Sequence, residues 1–245
     1  YLEYCEEDGR VCDSIITYCR ATGLHCVGIH DLVVSANQFE ENHDAVQFLD
    51  GYNLCMNGNN IDDHTGNGVI IERTYGSVLS GNMIEECAGV GLIMDRDCYG
   101  ITVSANVFAD NFGGGIDLRD AWGCAVSANT FVVDSVRSLI IGPAAGRITV
   151  TGNNFCDSFA GDPENRRHAK FDGTGILLNG TTDNVICGNQ FSGLTGYAIE
   201  TDGKCTRQLI ANNIVTDMNP KTIKTGPAFR IVDEKEVVLQ GNVLP

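Results

Sequence analysis

The chain has 245 residues, 43% hydrophobic and 20% charged, enough to close one sizeable core and too apolar for a disordered chain. Its 32 acidic and 16 basic residues give a formal net charge of -16, which repels phosphate backbones and excludes a general nucleic-acid binder. No uninterrupted apolar run reaches the roughly 18 residues of a membrane-spanning helix, so no membrane partner is expected. The sequence starts at Tyr1 without a basic-then-apolar segment, so a targeting signal is expected to be absent or already removed.

Along the chain the excess of Gly and Asn resolves into a repeat. Asp13-Ser14-Ile15-Ile16 opens it, and a small residue, Asn, any residue and then Phe or an aliphatic follow at Ala36-Asn37-Gln38-Phe39. The pattern returns at Asn59-Asn60-Ile61, Gly81-Asn82-Met83-Ile84, Ala105-Asn106-Val107-Phe108 and Ala128-Asn129-Thr130-Phe131. Gly152-Asn153-Asn154-Phe155, Gly188-Asn189-Gln190-Phe191, Asn212-Asn213-Ile214 and Gly241-Asn242-Val243-Leu244 complete it. The Asn-to-Asn steps are 22, 23, 24, 23, 24, 36, 23 and 30 residues, which makes ten units in all.

Each unit reads as three short strands. Ile101-Thr102-Val103-Ser104 alternates apolar and polar, Val107-Phe108 resumes after the Asn turn, and Gly115-Ile116-Asp117-Leu118-Arg119 alternates again after a glycine-rich turn. Strands this short cannot bury a face alone, so successive units must stack in parallel. The expected fold is all-β, a right-handed parallel β-helix of about ten coils and three sheets, in one domain over residues 1–245. At about 4.8 Å per coil it would be roughly 48 Å long. Asn tolerates the left-handed conformation at a sharp bend and bonds to neighbouring backbone, so its column should form a turn ladder. The apolar column two residues on, Phe39 to Leu244, should be an interior stack.

The repeated Gly/Ala-Asn-x-Phe/Ile unit resembles that of the pectate-lyase-like superfamily of right-handed β-helices, which includes polysaccharide lyases, glycosidases and sugar epimerases. The resemblance covers nearly the whole chain and identifies an architecture rather than one enzyme. It implies that the Asn turn joins the second and third sheets, and that a poly- or oligosaccharide lies along the first sheet. In that register the first sheet takes Gly68–Glu72, Gly91–Asp95, Gly115–Arg119, Gly175–Asn179 and Ala198–Asp202.

Alternation then points one column outward through Gln47, Ile70, Ile93, Asp117, Ile140, Leu177, Glu200 and Arg230. A second column holds Leu49, Glu72, Asp95, Arg119, Gly142, Asn179 and Asp202. Asp50, Arg73, Arg96, Asp97, Asp120 and Trp122 follow the strands as a wall. Glu72 and Asp95 should stand roughly 4.8 Å apart on adjacent coils, where two carboxylates share protons unequally, as a proton donor requires. Asp95 and Asp117 lie on a diagonal of roughly 8 Å. These spacings bracket the retaining and inverting arrangements of glycosidases. Asp95 and Asp117 are the candidate catalytic pair, with Glu72 and Asp120 in reserve. Arg119, Arg96, Arg73, Asp97, Asn179, Glu200 and Asp202 are candidate substrate contacts, and Trp122 could stack on a sugar ring or simply pack.

Two insertions break the period, one around Asp157 to Asp172 and one around Thr216 to Thr225, both between a third-sheet strand and the next first-sheet strand. The first carries Arg166, Arg167, His168 and Lys170 and the second Lys221 and Lys224, so Arg167 and His168 join the candidate substrate contacts as anion binders or bases for β-elimination. No cofactor is called for. Gly113–Asp117 superficially resembles one calcium-binding repeat but has no tandem copy, and Asp62-Asp63-His64 and His43-Asp44 read as exposed turn residues rather than metal ligands. The 11 cysteines, odd in number and without Cys-x-x-Cys spacing, read as buried thiols filling the core. They favour a reducing setting, whereas the resemblance implies a secreted or periplasmic one.

The expected function is cleavage or rearrangement of a glycosidic bond by paired carboxylates on the first sheet. A lyase or epimerase using basic residues, and a non-catalytic binding or structural β-helix, stand as alternatives. Homo-oligomerisation is open.

Overall fold

A computed structural model describes residues 1–135, 137–157, 173–216, 218, 228–232 and 234–245. Most of both insertions, with Arg166, Arg167, His168, Lys170, Lys221 and Lys224, lies outside the described residues.

The chain is a right-handed parallel β-helix. Two sheets of ten strands and one of nine run its length, and every pairing among them is parallel and joins a strand to its counterpart one coil on. The first sheet runs from Leu2–Glu3 to Phe229–Arg230 through Val69–Glu72, Val90–Asp95 and Gly114–Leu118. The one helical element among the described residues is a 3-10 turn at Glu234–Glu236.

The interior is the stacked apolar column that the repeat predicts. Phe108, Phe131, Phe155 and Phe191 are fully buried, with ring centroids 5.2, 4.6 and 4.8 Å apart and nearly parallel planes. The stacking follows from geometry, because identical residues on adjacent coils are held at the strand spacing. One coil is shifted from expectation. Phe191 pairs with Val215, which is buried, while Ile214 is 45% exposed. Asn213, not Asn212, therefore occupies the ladder, since a one-residue slip exchanges the faces of a strand. Leu244, also expected inside, is 47% exposed.

The Asn ladder is continuous. From Asn37 through Asn59, Asn82, Asn106, Asn129, Asn153, Asn189 and Asn213 to Asn242, each side-chain N–H donates to the carbonyl oxygen of the next at 2.8–3.0 Å. Each of the same side chains from Asn37 to Asn213 also donates to a main-chain carbonyl of the preceding coil, as Asn129 does to Val103 at 3.0 Å. The residue just before the ladder Asn takes a left-handed backbone, for example Gly152 at φ 65° and Ala128 at φ 54°. That conformation costs a non-glycine residue about 1–2 kcal/mol, partly offset by the entropy glycine loses on folding. Ala105→Gly and Ala128→Gly should each raise stability by about 0.5–1 kcal/mol, read as a higher denaturant midpoint at unchanged slope.

A second, mixed ladder lies five residues further on, where the third sheet turns into the first. Cys19 N–H donates to Asn42 Oδ1 at 2.9 Å, Asn42 N–H to His64 Nδ1 at 3.1 Å, and Cys87 N–H to Asn111 Oδ1 at 3.2 Å. Asn111 then donates from its main-chain N and Nδ2 to Asp134 Oδ1, at 3.2 and 2.9 Å. His64 is therefore buried in a ladder rather than exposed in a turn, and burial lowers its pKa.

Candidate functional site

The outward column of the first sheet matches the expected register. Gln47, Ile70, Ile93, Asp117, Ile140, Leu177, Glu200 and Arg230 are successive partners across seven pairings. Leu49, Glu72 and Asp95 pair likewise in the second column, as do Asn179 and Asp202. The strands' inward residues, such as Val69, Ile71, Ile116 and Leu118, are buried, so the fold aims the carboxylates outward without side-chain choice.

Four neighbouring coils bring together most of the expected site, and Asp50, Glu72 and Asp117 are ion-paired with arginines there. Arg96 Nη1 is 2.9 Å from Glu72 Oε2, and the Arg96 main-chain N–H donates to Asp95 Oδ1 at 2.8 Å. One residue thus holds both stacked carboxylates, Glu72 through its guanidinium and Asp95 through its main chain. Arg119 Nε donates to Asp117 Oδ2 at 2.8 Å, Arg73 is ion-paired with Asp50, and Asp97 N–H donates to Asp120 Oδ2 at 2.9 Å. The Arg73 guanidinium holds the Asp50 carboxyl below the usual carboxylate range. Asp117 is the one carboxylate in an otherwise aliphatic run, Ile93 below and Ile140 above, and its side chain is only 17% exposed.

Glu200, Asp202 and Asn179 stand two to three coils beyond Asp117, outside this cluster. Glu200 is buried and clamped between Arg137 and Arg230, which bond to its two oxygens. Arg137 was not expected at the site, because it starts in the turn before the strand and reaches two coils along.

The wall after the first sheet carries an aromatic column that the 22- to 24-residue spacing of His30, Tyr52, Tyr75, Tyr99 and Trp122 could have shown. The rings of His30, Tyr52, Tyr75 and Tyr99 stack at 3.8, 5.1 and 5.0 Å, and bridge pairing extends the column to Trp122. Because these rings cover one another's faces, their edges and hydroxyls, not their faces, line the wall. Trp122 is packed too: the Arg147 guanidinium lies 5.9 Å from its ring centre, and Gly146 leaves no room for a side chain beside it.

Of the cysteines, Cys26, Cys87, Cys98, Cys124 and Cys205 are buried as expected, five are half-buried and Cys5 is exposed; all are free. Burial pushes the Cys26 and Cys98 thiols up to about 12, so they stay protonated at neutral pH. Cys98 donates to the Ile71 and Asp95 carbonyls at 3.4 and 3.3 Å. A cavity of about 480 Å³ lies on the second sheet beside Asp183, Arg207 and Glu236, away from the carboxylate cluster.

The fold defines a right-handed parallel β-helix protein. The chain belongs to the NosD family, described as "Periplasmic copper-binding protein (NosD)", which it matches over residues 7–226. No curated protein matches it in sequence. Among solved structures it is similar to DFA-IIIase from Arthrobacter chlorophenolicus A6 in complex with GF2, at 17% identity and a TM-score of 0.67, covering 84% of this chain and 59% of that one. It is also similar to the periplasmic alginate epimerase AlgG, at 14% identity and a TM-score of 0.60, covering 97% and 50%. A third is ORF18 of Geobacillus virus E2, at 14% identity and a TM-score of 0.62, covering 94% and 54%. The chain thus spans between half and three-fifths of these proteins, and the likeness is one of fold.

The family description names copper, and the described residues do not fit such a site. Among them no group of three or more His, Cys, Asp or Glu side chains is placed to hold a metal ion. The thiols best enclosed for a soft ion are protonated and already bonded to carbonyls.

Proposed function

We propose that the chain is a carbohydrate-active enzyme whose first-sheet face cleaves or rearranges a glycosidic bond of a poly- or oligosaccharide. The observation that carries this reading is the set Glu72, Asp95, Asp117 and Arg119 on three consecutive coils, with Asp117 set between Ile93 and Ile140. A carboxyl group flanked by aliphatic side chains would face a docked sugar directly, within reach of a glycosidic oxygen. Asp95, on the diagonal, would act on the other side of the bond, while Arg96 and Arg119 orient the sugar through their remaining N–H groups. The names of the solved relatives, a DFA-IIIase and an alginate epimerase, support a sugar substrate. The family description and AlgG support a periplasmic or secreted setting, against which the eleven free thiols weigh.

Asp117→Asn should lower kcat on a responsive glycan by about 10²- to 10⁴-fold with little change in KM, and Asp95→Asn similarly. Undiminished turnover in both would remove the pair as catalytic residues. A second reading, a glycan-binding β-helix without turnover, draws on the ion pairs Glu72–Arg96 and Asp117–Arg119, which already occupy the carboxylates.

A further inference from the structure

The second sheet carries a surface unlike the rest of the molecule. Segments 33–38, 55–60, 78–83, 102–107, 125–130, 149–154, 185–190, 208–214 and 237–243 lie on nine successive coils and contain no Asp, Glu, Lys or Arg. At the chain's average of one charge in five residues, these 56 positions would hold about 11 charges. The whole net charge of -16 is carried elsewhere.

The outward rows are small and neutral. One runs Val33, Cys55, Val78, Thr102, Ala125, Thr149 in direct register, and the next Ser35, Asn57, Ser80, Ser104, Ser127, Thr151. At their edge runs the left-handed turn column, where Gly58, Gly81, Gly152 and Gly188 have open space around the missing side chain. The result is a corrugated, uncharged strip with a bare backbone ridge.

We infer that this strip is a self-association surface, on which a second copy of the chain docks face to face. A charged partner of either sign would gain no ion pair there and would lose hydration. The partner surface must therefore be uncharged as well, and the strip itself meets that requirement with rows at the same coil spacing. It is also a face, nine coils long among the described residues, on which two copies of a -16 chain meet without opposing carboxylates. A two-fold axis across the strip makes the contact self-complementary. Eight coil steps of about 4.8 Å and strands about 10 Å wide give roughly 400 Å² of flat face per copy. That is below the ~800 Å² per partner of a stable interface, so the dimer is weak and concentration-dependent.

Sedimentation equilibrium tests this under reductant, because Cys55 and Cys187 lie on the strip and could otherwise link copies covalently. Wild type should move from monomer to dimer over two decades of concentration. Added salt should strengthen the dimer by screening the net charge rather than dissolve it. Thr102→Glu with Ala125→Glu, both outward and half-buried, should weaken association at least about tenfold. Thr102→Gln with Ala125→Gln should associate more tightly than the Glu pair, and matching thermal unfolding of the two variants shows that both are folded. A wild type that stays monomeric throughout, or a Glu pair that associates as wild type does, overturns the inference.

Discussion

Asp134→Asn is expected to stabilise the protein by about 1–3 kcal/mol at pH 7 and to flatten its stability between pH 4 and 8. Asp134 is fully buried at the turn between the third and first sheets. Its Oδ1 accepts two hydrogen bonds from Asn111, while Oδ2 has no partner among the described residues and lies close behind Gly115. Burial raises its pKa from 3.8 to about 8, only partly opposed by the Asn111 bonds. The folded state therefore holds a proton that the unfolded state releases above pH 4. Stability falls as pH rises from about 4 to about 8, by up to ~1.4 kcal/mol per pH unit from this group, and levels off above. Asn keeps the Oδ1 acceptor and removes the ionisation, although its Nδ2 inherits the unpartnered position and gives back about 1–3 kcal/mol. Urea melts of both proteins at pH 5 and 8 check this. A wild type no less stable at pH 8 than the variant would show that Asp134 is not held protonated.

Asn129→Ala should cost about 2–4 kcal/mol, the loss expected at any interior position of the ladder. Asn129 Oδ1 accepts from both the main chain and side chain of Asn106, and its Nδ2 donates to Val103 O and Asn153 Oδ1, all at 3.0 Å. Removal takes one bond from each of four groups in a turn that water does not reach and leaves the Asn106 main-chain N–H without its acceptor, whereas Asn153 Oδ1 keeps the Asn129 main-chain N–H and Asn106 Nδ2 keeps Leu79 O. An end position should be milder. Asn242 has the last place in the ladder and is half-buried, so Asn242→Ala should lose under half as much in the same melts.

These two residues also mark what could be read before the structure. The Asn129 column repeats one residue type at one spacing, and that repetition carried the fold, the register and the outward columns of the first sheet. The column of Asp134 repeats a position but not a residue, running Cys19, Asn42, His64, Cys87, Asn111, Asp134. Different side chains can cap the same turn, so no pattern of letters discloses it. The slip at Asn213 has the opposite origin, since Asn212-Asn213-Ile214-Val215 satisfies the repeat in two registers and packing chose Val215. At the candidate site the columns were legible because pleating fixes them. The ion pairs were not, because Arg96 and Arg137 reach one and two coils away along torsions that alternation does not set.

Action of the first-sheet carboxylates on a glycosidic bond is the proposed chemistry. It is tested most directly by following the products of an oligosaccharide panel by NMR, with wild type and Asp117→Asn side by side. The diagonal of Asp95 and Asp117, roughly 8 Å between strand positions, falls in the range of inverting enzymes. The predicted result is a product released with inverted anomeric configuration by wild type and not by the variant. No product from any glycan that the wild type binds, or equal product from the variant, would contradict the account.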